Sequence, residues 1–270
     1  MADDVVDQFI DQQGVIRRPG SLVLPPGFVS SFPPTVDAPE FPRWDDSDIR
    51  QVISDPNRRD MAKLFPFAKY GTNQNSTSAC NGFAAAGGVT RVRKLRGIDD
   101  GWVGSGSWVY SLINGHRDGG SILEDGMKVI QSVGVCGQDV VPWDLIYPEL
   151  QSDNAREEAA KHKGLSAYRA TTKQGLLTGL AAGYVAIAAI MVGPRFDAIQ
   201  DGVAGVQNGV GNHAVLIEDL KWRDNSYQFL MCNSWGINYG DNGRVWLRWE
   251  HFEQPFESHV FYLIPSSQEG

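Results

Sequence analysis

Residues 71–95, GTNQNSTSACNGFAAAGGVTRVRKL, pass from a polar, turn-forming stretch directly into a helix. A helix is expected over Asn81 to Leu95 in spite of Gly87 and Gly88, each of which costs about 1 kcal/mol against alanine. Cys80 stands at its start. A free thiol is mostly protonated near neutrality, and two devices stabilise the thiolate: a helix N-terminus and a nearby imidazolium. Cys80 has the first in its own segment, so the second must come from elsewhere in the chain.

Of five histidines, His116, His162, His213, His251 and His259, His213 is the one rigidly aimed. It opens the apolar strand His213-Ala214-Val215-Leu216-Ile217, after the glycine-rich run 208–212. About twenty residues on, at the end of the next expected strand, Asn233-Ser234-Trp235-Gly236 offers an amide to hold an imidazole tautomer and an indole to shield it. Taken singly, Cys80 reads as a small buried hydrophobe, His213 as a hydrogen-bonded core residue and Asn233 as a strand-end cap. Their conjunction in this order is what carries meaning.

Around these residues the chain divides into a helical half and a strand half. Ser107–Asn114 and Ile122–Ser132 read as helices, the second preceded by the turn Asp118-Gly119-Gly120. Residues 175–194 carry no charge and approach the length of a membrane span, but four glycines interrupt them, and a short helix running into a core strand is the preferred reading. Strands are expected at Val185–Val192, Ala214–Asp219, Tyr227–Cys232 and Arg244–Trp249. The first 43 residues are rich in proline and form an arm, with one helix expected over Asp4–Gln13. Such a segment stays ordered only when its own body or a partner holds it down.

The blocks Gln74-x5-Cys80-x2-Phe83-Ala84, Asn212-His213-Ala214-Val215 and Asn233-Ser234-Trp235-Gly236-x2-Tyr239-Gly240-x2-Gly243 resemble, in order and context, the signatures of the papain-like cysteine peptidases. The resemblance runs from about Trp44 to Tyr262. It implies an α+β, two-lobed fold: a helical lobe (about 71–168), a twisted antiparallel β-barrel-like lobe (about 169–270) and a cleft between them, with 1–43 outside the domain 44–270. It further implies Cys80 as nucleophile, His213 as general acid/base, Asn233 as its orienting residue and Gln74 as an oxyanion donor with the Cys80 N–H. Trp235 would cover the His213–Asn233 pair, and Gly119 and Gly120 would let a substrate backbone approach closely. The expected reaction is thiol-dependent hydrolysis of peptide bonds in a peptide or protein substrate, with no metal and no cofactor.

Two departures stand out. Asn81 occupies a place where the family usually has an aromatic, and Thr77 one where many secreted members have a cysteine. No long helical prosegment is evident, so control of activity is expected to differ. The rivals are a structural or binding subunit of an assembly such as a virus particle, using the arm as a clamp on a protein partner, and a cell-wall-cleaving thiol hydrolase, which the Asn233-Ser234-Trp235-Gly236 block fits less well.

With 32 acidic against 24 basic residues, a net charge of −8 disfavours nucleic-acid or anionic-membrane surfaces. The three cysteines, Cys80, Cys136 and Cys232, include no Cys-x-x-Cys pair, and Cys136 and Cys232 read as structural thiols. The acidic N-terminus lacks a secretory pattern, so a cytoplasmic location, with virion association as the variant, is expected. The basic run Arg91–Arg96 reads as a solvated helix end.

Overall fold

A computed structural model describes residues 8–22, 24–25, 27–98, 101–115, 117–144, 151–207, 211–253 and 261–266. Helices α1 (Asp46–Ile53), α2 (Met61–Leu64), α3 (Phe67–Tyr70), α4 (Cys80–Leu95), α5 (Gly106–Ile113), α6 (Leu123–Ser132) and α7 (Asp153–Ala160) precede the main sheet. Helix α8 (Lys173–Ala181) lies among its strands: β3 (Tyr168–Ala170), β4 (Val185–Val192), β5 (Gly211–Arg223), β6 (Ser226–Cys232), β7 (Arg244–Arg248) and β8 (Phe261–Ile264). The sheet is antiparallel, in the order β3-β8-β4-β5-β6-β7. Two short strands, β1 (Phe9–Ile10) and β2 (Ile16–Arg17), form a separate hairpin.

Alternation along the strands explains the packing. On β4, Val185 and Ile187 face α4 together with Ala214, Leu216, Leu230 and Ile264. Ala186, Ala188, Ile190 and Val192 face the other way, against Leu176, Leu177 and Leu180 of α8. With both faces covered, β4 reads as a continuous apolar run, and the span-like stretch 175–194 resolves into a core helix and a core strand. No helix among the described residues is long and apolar enough to cross a membrane. Each aliphatic side chain removed from water here contributes about 1.5–3 kcal/mol.

Helix α4 crosses the sheet so closely that a Cβ on Gly88 would come within 2.8 Å of Ile264 Cδ1. That approach accounts for a glycine that propensity alone disfavours. The same helix corrects the reading of its basic end. Arg91 is 2% exposed; its Nε donates to Glu218 Oε1 at 2.7 Å, and Arg244 Nε donates to Glu218 Oε2 at 2.8 Å. Glu218 is the residue skipped where the β5–β6 register shifts between Ile217 and Asp219. Arg93 stacks on Trp102 and reaches His162.

The N-terminal segment also differs from expectation. Residues 4–7 lie outside the described residues, and 8–17 form the β1–β2 hairpin rather than a helix. Asp11 closes it: its Oδ1 accepts from the N–H groups of Gln13 and Val15, and its Oδ2 takes Arg17 Nε at 2.7 Å. Further along, Gly20, Ser21, Leu22, Ser31 and Phe32 of the arm contact the body.

Candidate active site

Cys80 begins α4 and His213 lies on β5; both are fully buried. The loop before Cys80 is tied to the turn after β6 by Gln74 N–H donating to Ser234 O at 2.8 Å and by Ser234 Oγ donating to Gln74 Oε1 at 2.6 Å. This brings the three sequence blocks to one place. The Ala214 N–H, next to His213, donates to Cys80 Sγ at 3.3 Å.

Asn233 fixes the imidazole. Its Oδ1 accepts from the Ser234 N–H at 2.8 Å, which identifies that atom as the oxygen, and the same Oδ1 lies 2.8 Å from His213 Nε2. A carbonyl oxygen only accepts, so Nε2 carries the proton and Nδ1 keeps its lone pair. Buried Nδ1 has no hydrogen-bond partner among the described residues. Trp235 covers the ring, with centroids 4.8 Å apart and planes tilted by 31°.

The sulfur is reached by N–H groups from Ala214, Gly20, Asn81 and Cys80 itself, yet burial dominates and pushes the thiol up to about 11. Burial likewise drives the His213 imidazole down to about 4, against a smaller opposing effect of the Asn233 hydrogen bond. In this arrangement the pair is uncharged at neutral pH. Cys136 and Cys232 are also buried and unpaired, and burial raises both thiols, to about 12 and about 11.

The arm adds to the cover over the pair, with Gly20 reaching Cys80 and Arg17 acting on His213. Its hairpin docks on Trp235, with Phe9 edge-on at 5.9 Å and the Arg17 guanidinium 5.0 Å over the ring. The next residues run along the cleft: Ser121 N–H donates to Gly20 O at 2.8 Å, Leu22 N–H to Ser121 O at 2.9 Å and Ser21 N–H to Asn212 O at 3.1 Å. A Cβ on Gly20 would lie 1.9 Å from Ser78 O, and one on Gly120 would lie 2.4 Å from Gly20 O. Beyond the cleft, Ser31 is held by Glu124 and Phe32 packs edge-on against Tyr262. Gly20 thus offers the sulfur an N–H, while its carbonyl accepts from the Ser121 N–H.

Of the remaining sequence candidates, Gln74 is buried at the site, but its amide donates to Thr77 O at 2.6 Å. Gly120 lies beneath the arm; at Gly119 a Cβ would come nearest Arg117 Nε, at 3.5 Å. Asn81 turns its amide to Ser121 Oγ at 3.0 Å and Ile122 O at 2.6 Å, so it fastens the strand-like edge on which the arm lies. Sequence reading noticed Asn81 only as a departure and missed Ser121 altogether, because Ser121 acts through its backbone. No cluster of His, Cys, Asp and Glu fit to hold a metal occurs among the described residues.

A thiol, a bare imidazole nitrogen, an amide behind it and an extended chain laid across them define a thiol-hydrolase cleft between a helical and a β layer. The chain belongs to the papain family of cysteine proteases: the model for the papain family cysteine protease matches residues 71–263. It is thereby a thiol-dependent peptidase acting on peptide or protein substrates. Its fold is similar to that of xylellain, a cysteine protease from Xylella fastidiosa (21% identity, TM-score 0.68, covering 93% of this chain and 98% of that one). It is also similar to proCathepsin B S9 from Trypanosoma congolense (16%, 0.66, 92% and 87%) and to digestive procathepsin L 3 of Tenebrio molitor (15%, 0.57, 72% and 66%). No curated protein sequence matches the chain. Neither the family match nor these neighbours speaks for a structural subunit of a virus particle.

Proposed function

We propose that Cys80 is the nucleophile of this peptidase and that the arm, residues 1–43, holds the domain 44–270 in a latent state. The observation that carries the reading is the His213 tautomer: Nε2–H engaged by Asn233 and a bare Nδ1, on the residue next to Ala214, whose N–H meets the Cys80 sulfur. When the arm leaves, Cys80 passes its proton to His213 Nδ1 and the thiolate attacks a peptide carbonyl. His213 then protonates the leaving amine, and water releases the acyl group. Gln74, engaged by Thr77 while the arm is in place, turns with the Cys80 N–H to meet the oxyanion. Trp235 excludes water from the His213–Asn233 bond, and Gly119 and Gly120 give the substrate backbone room.

Latency is supported by Gly20. With its N–H on the sulfur and its carbonyl tied to Ser121, Gly20 lies over the thiol with its own carbonyl already engaged. A reducing compartment, the cytoplasm, belongs to the same reading on the strength of three unpaired, buried thiols. Virion association and an assembly partner for the arm have no observation in their support.

The test is labelling of the full chain with an epoxide thiol-peptidase probe. Labelling is expected on Cys80, lost in Cys80→Ala and kept in Cys136→Ala. Gly20→Ala, whose methyl has no room against Ser78 O, is expected to raise the labelling rate at pH 7 about tenfold or more by enlarging the open fraction. Labelling that survives Cys80→Ala rejects the nucleophile; a Gly20→Ala rate equal to wild type rejects latency.

A further inference from the structure

One carboxylate at the cleft has no part in the chemistry above. Asp118 Oδ1 accepts from the Ser78 N–H at 2.8 Å and from the Tyr110 hydroxyl at 3.0 Å, and that hydroxyl in turn accepts from the Gly120 N–H at 3.0 Å. The carboxylate is therefore fixed relative to two things at once: the loop two residues before Cys80, and the backbone edge on which an extended chain lies. Its other oxygen is met by the arm. Arg18, two residues before Gly20, brings Nη1 to 3.7 Å from Asp118 Oδ2, with the two side chains 44% and 24% exposed. So open a pair contributes little to holding the arm. What it marks is a place beside the sulfur where a cation fits.

Which side of the scissile bond this place serves follows from the proton path. His213 hands its proton to the leaving amine, so the leaving group lies toward His213 and Trp235. Asp118 is tied instead to Ser78 and, through Tyr110, to Gly120, and these partners assign it to the acyl side. Arg17, the other cation of the arm, is 3% exposed, sits over Trp235 and is already neutralised by Asp11, so it does not compete for Asp118.

We propose that Asp118 is a specificity determinant that selects substrates carrying an arginine or lysine side chain on the residue whose carbonyl Cys80 attacks; this rests on the reading of Cys80 as nucleophile. Once the arm withdraws, Arg18 goes with it and leaves the carboxylate without its cation. A basic substrate side chain restores the pair, whereas an acidic one adds repulsion and a neutral one leaves the charge unanswered.

The experiment uses the full chain and two fluorogenic peptides that differ only in arginine or citrulline, its uncharged isostere, before the scissile bond. A closed arm lowers both kcat/KM values by the same open fraction, so their ratio is unaffected. In parallel, Cys80 is alkylated with peptidyl chloromethyl ketones ending in arginine or citrulline, which needs no turnover. Arginine is expected to be preferred about tenfold or more in both assays. The preference should shrink with added salt and fall to about one in Asp118→Asn, which retains an acceptor for Ser78 and Tyr110. Asp118→Glu should restore part of it. A wild-type ratio near one, or a preference that survives Asp118→Asn, overturns the proposal while leaving Cys80 in its role. Failure of both reagents to modify Cys80, together with no hydrolysis, brings down the nucleophile and this proposal alike.

Discussion

Two polar centres are built on the same elements of this molecule and are finished differently. Helix α4 supplies Cys80 at its first residue and Arg91 three turns later; β5 supplies His213 and Glu218. The chain end of β6 supplies Cys232 and Asn233, and β7 supplies Arg244. At the inner centre both oxygens of Glu218 are engaged, Arg91 also reaches Tyr70 O and Cys232 Sγ, and Arg244 reaches Phe65 O. The two arginines hold the Glu218 carboxyl below its ordinary range despite complete burial. At the outer centre His213 Nδ1 is buried without a hydrogen-bond partner among the described residues, and the sulfur accepts from the Ala214 N–H. Full satisfaction marks a centre that holds the helix to the sheet, whereas a bare imidazole nitrogen suits the proton transfer proposed for His213.

The largest test of that contrast is removal of the reacting groups. Cys80→Ala and His213→Ala are each expected to lower kcat/KM by at least ~10³-fold, with thermal melting close to wild type for the cysteine variant. A Cys80→Ala protein that retained more than a tenth of the wild-type rate would erase the distinction. Next comes Glu218→Ala, which strands two buried guanidinium groups. It should cost about 3–5 kcal/mol of stability, read by denaturant unfolding, while the pH profile of Cys80 labelling in the folded fraction stays in place. Unchanged stability would mean that the inner centre is no clamp.

Asn233→Ala removes only the oxygen that fixes the His213 tautomer, and a loss of about 10–100-fold in kcat/KM is expected. Asn233→Asp, which keeps that oxygen, should recover most of it. The smallest effect is on the arm. Burial lowers His213 from 6.5 to about 4 in the closed form, so the open form binds the extra proton and closure weakens as pH falls from 6.5 toward 4. Cys80 is raised from 9.0 to about 11, so the closed form keeps that proton and closure also weakens as pH rises from 9 toward 11. Hydrogen-exchange protection of the Ser21 and Leu22 amides, corrected for intrinsic rates, should therefore be greatest between these limits. A flat profile in wild type, or an acid limb that persists in His213→Ala, would remove the imidazole from arm closure.

That the three blocks of the candidate site meet was legible because each sets a rare residue in a short, ordered context: Cys80 at a helix start, His213 near a strand start, Asn233 before Trp235. Helix α4 and strands β4 to β7 were legible from apolar patterning, with ends shifted by a few residues; β5 extends to Arg223 rather than Asp219. The inner centre was not legible. Arg91 in a run of cations looks like a solvated helix end, and its partner Glu218 is 127 positions away. The hairpin at 9–17 was misread because Phe9 and Ile10 fit a helical spacing, whereas docking on Trp235 and the Asp11 turn decide the outcome. Short β3 and β8 are called into the sheet by neighbouring strands, a pairing no local pattern carries. The course of the arm escaped for a related reason, since it is written in backbone hydrogen bonds to Ser121 and Asn212.

The orientation of Gly20 has a consequence for how often the molecule can be used. In the proposed latent state, the Gly20 carbonyl is held by the Ser121 N–H and is not free to be attacked. Each withdrawal leaves the arm intact, so the cleft can be shut again by the same covalent chain. Turnover then becomes a matter of dwell time in the uncovered form, set by whatever competes with the strand at Ser121, and the resting state is recovered as soon as that competitor is gone.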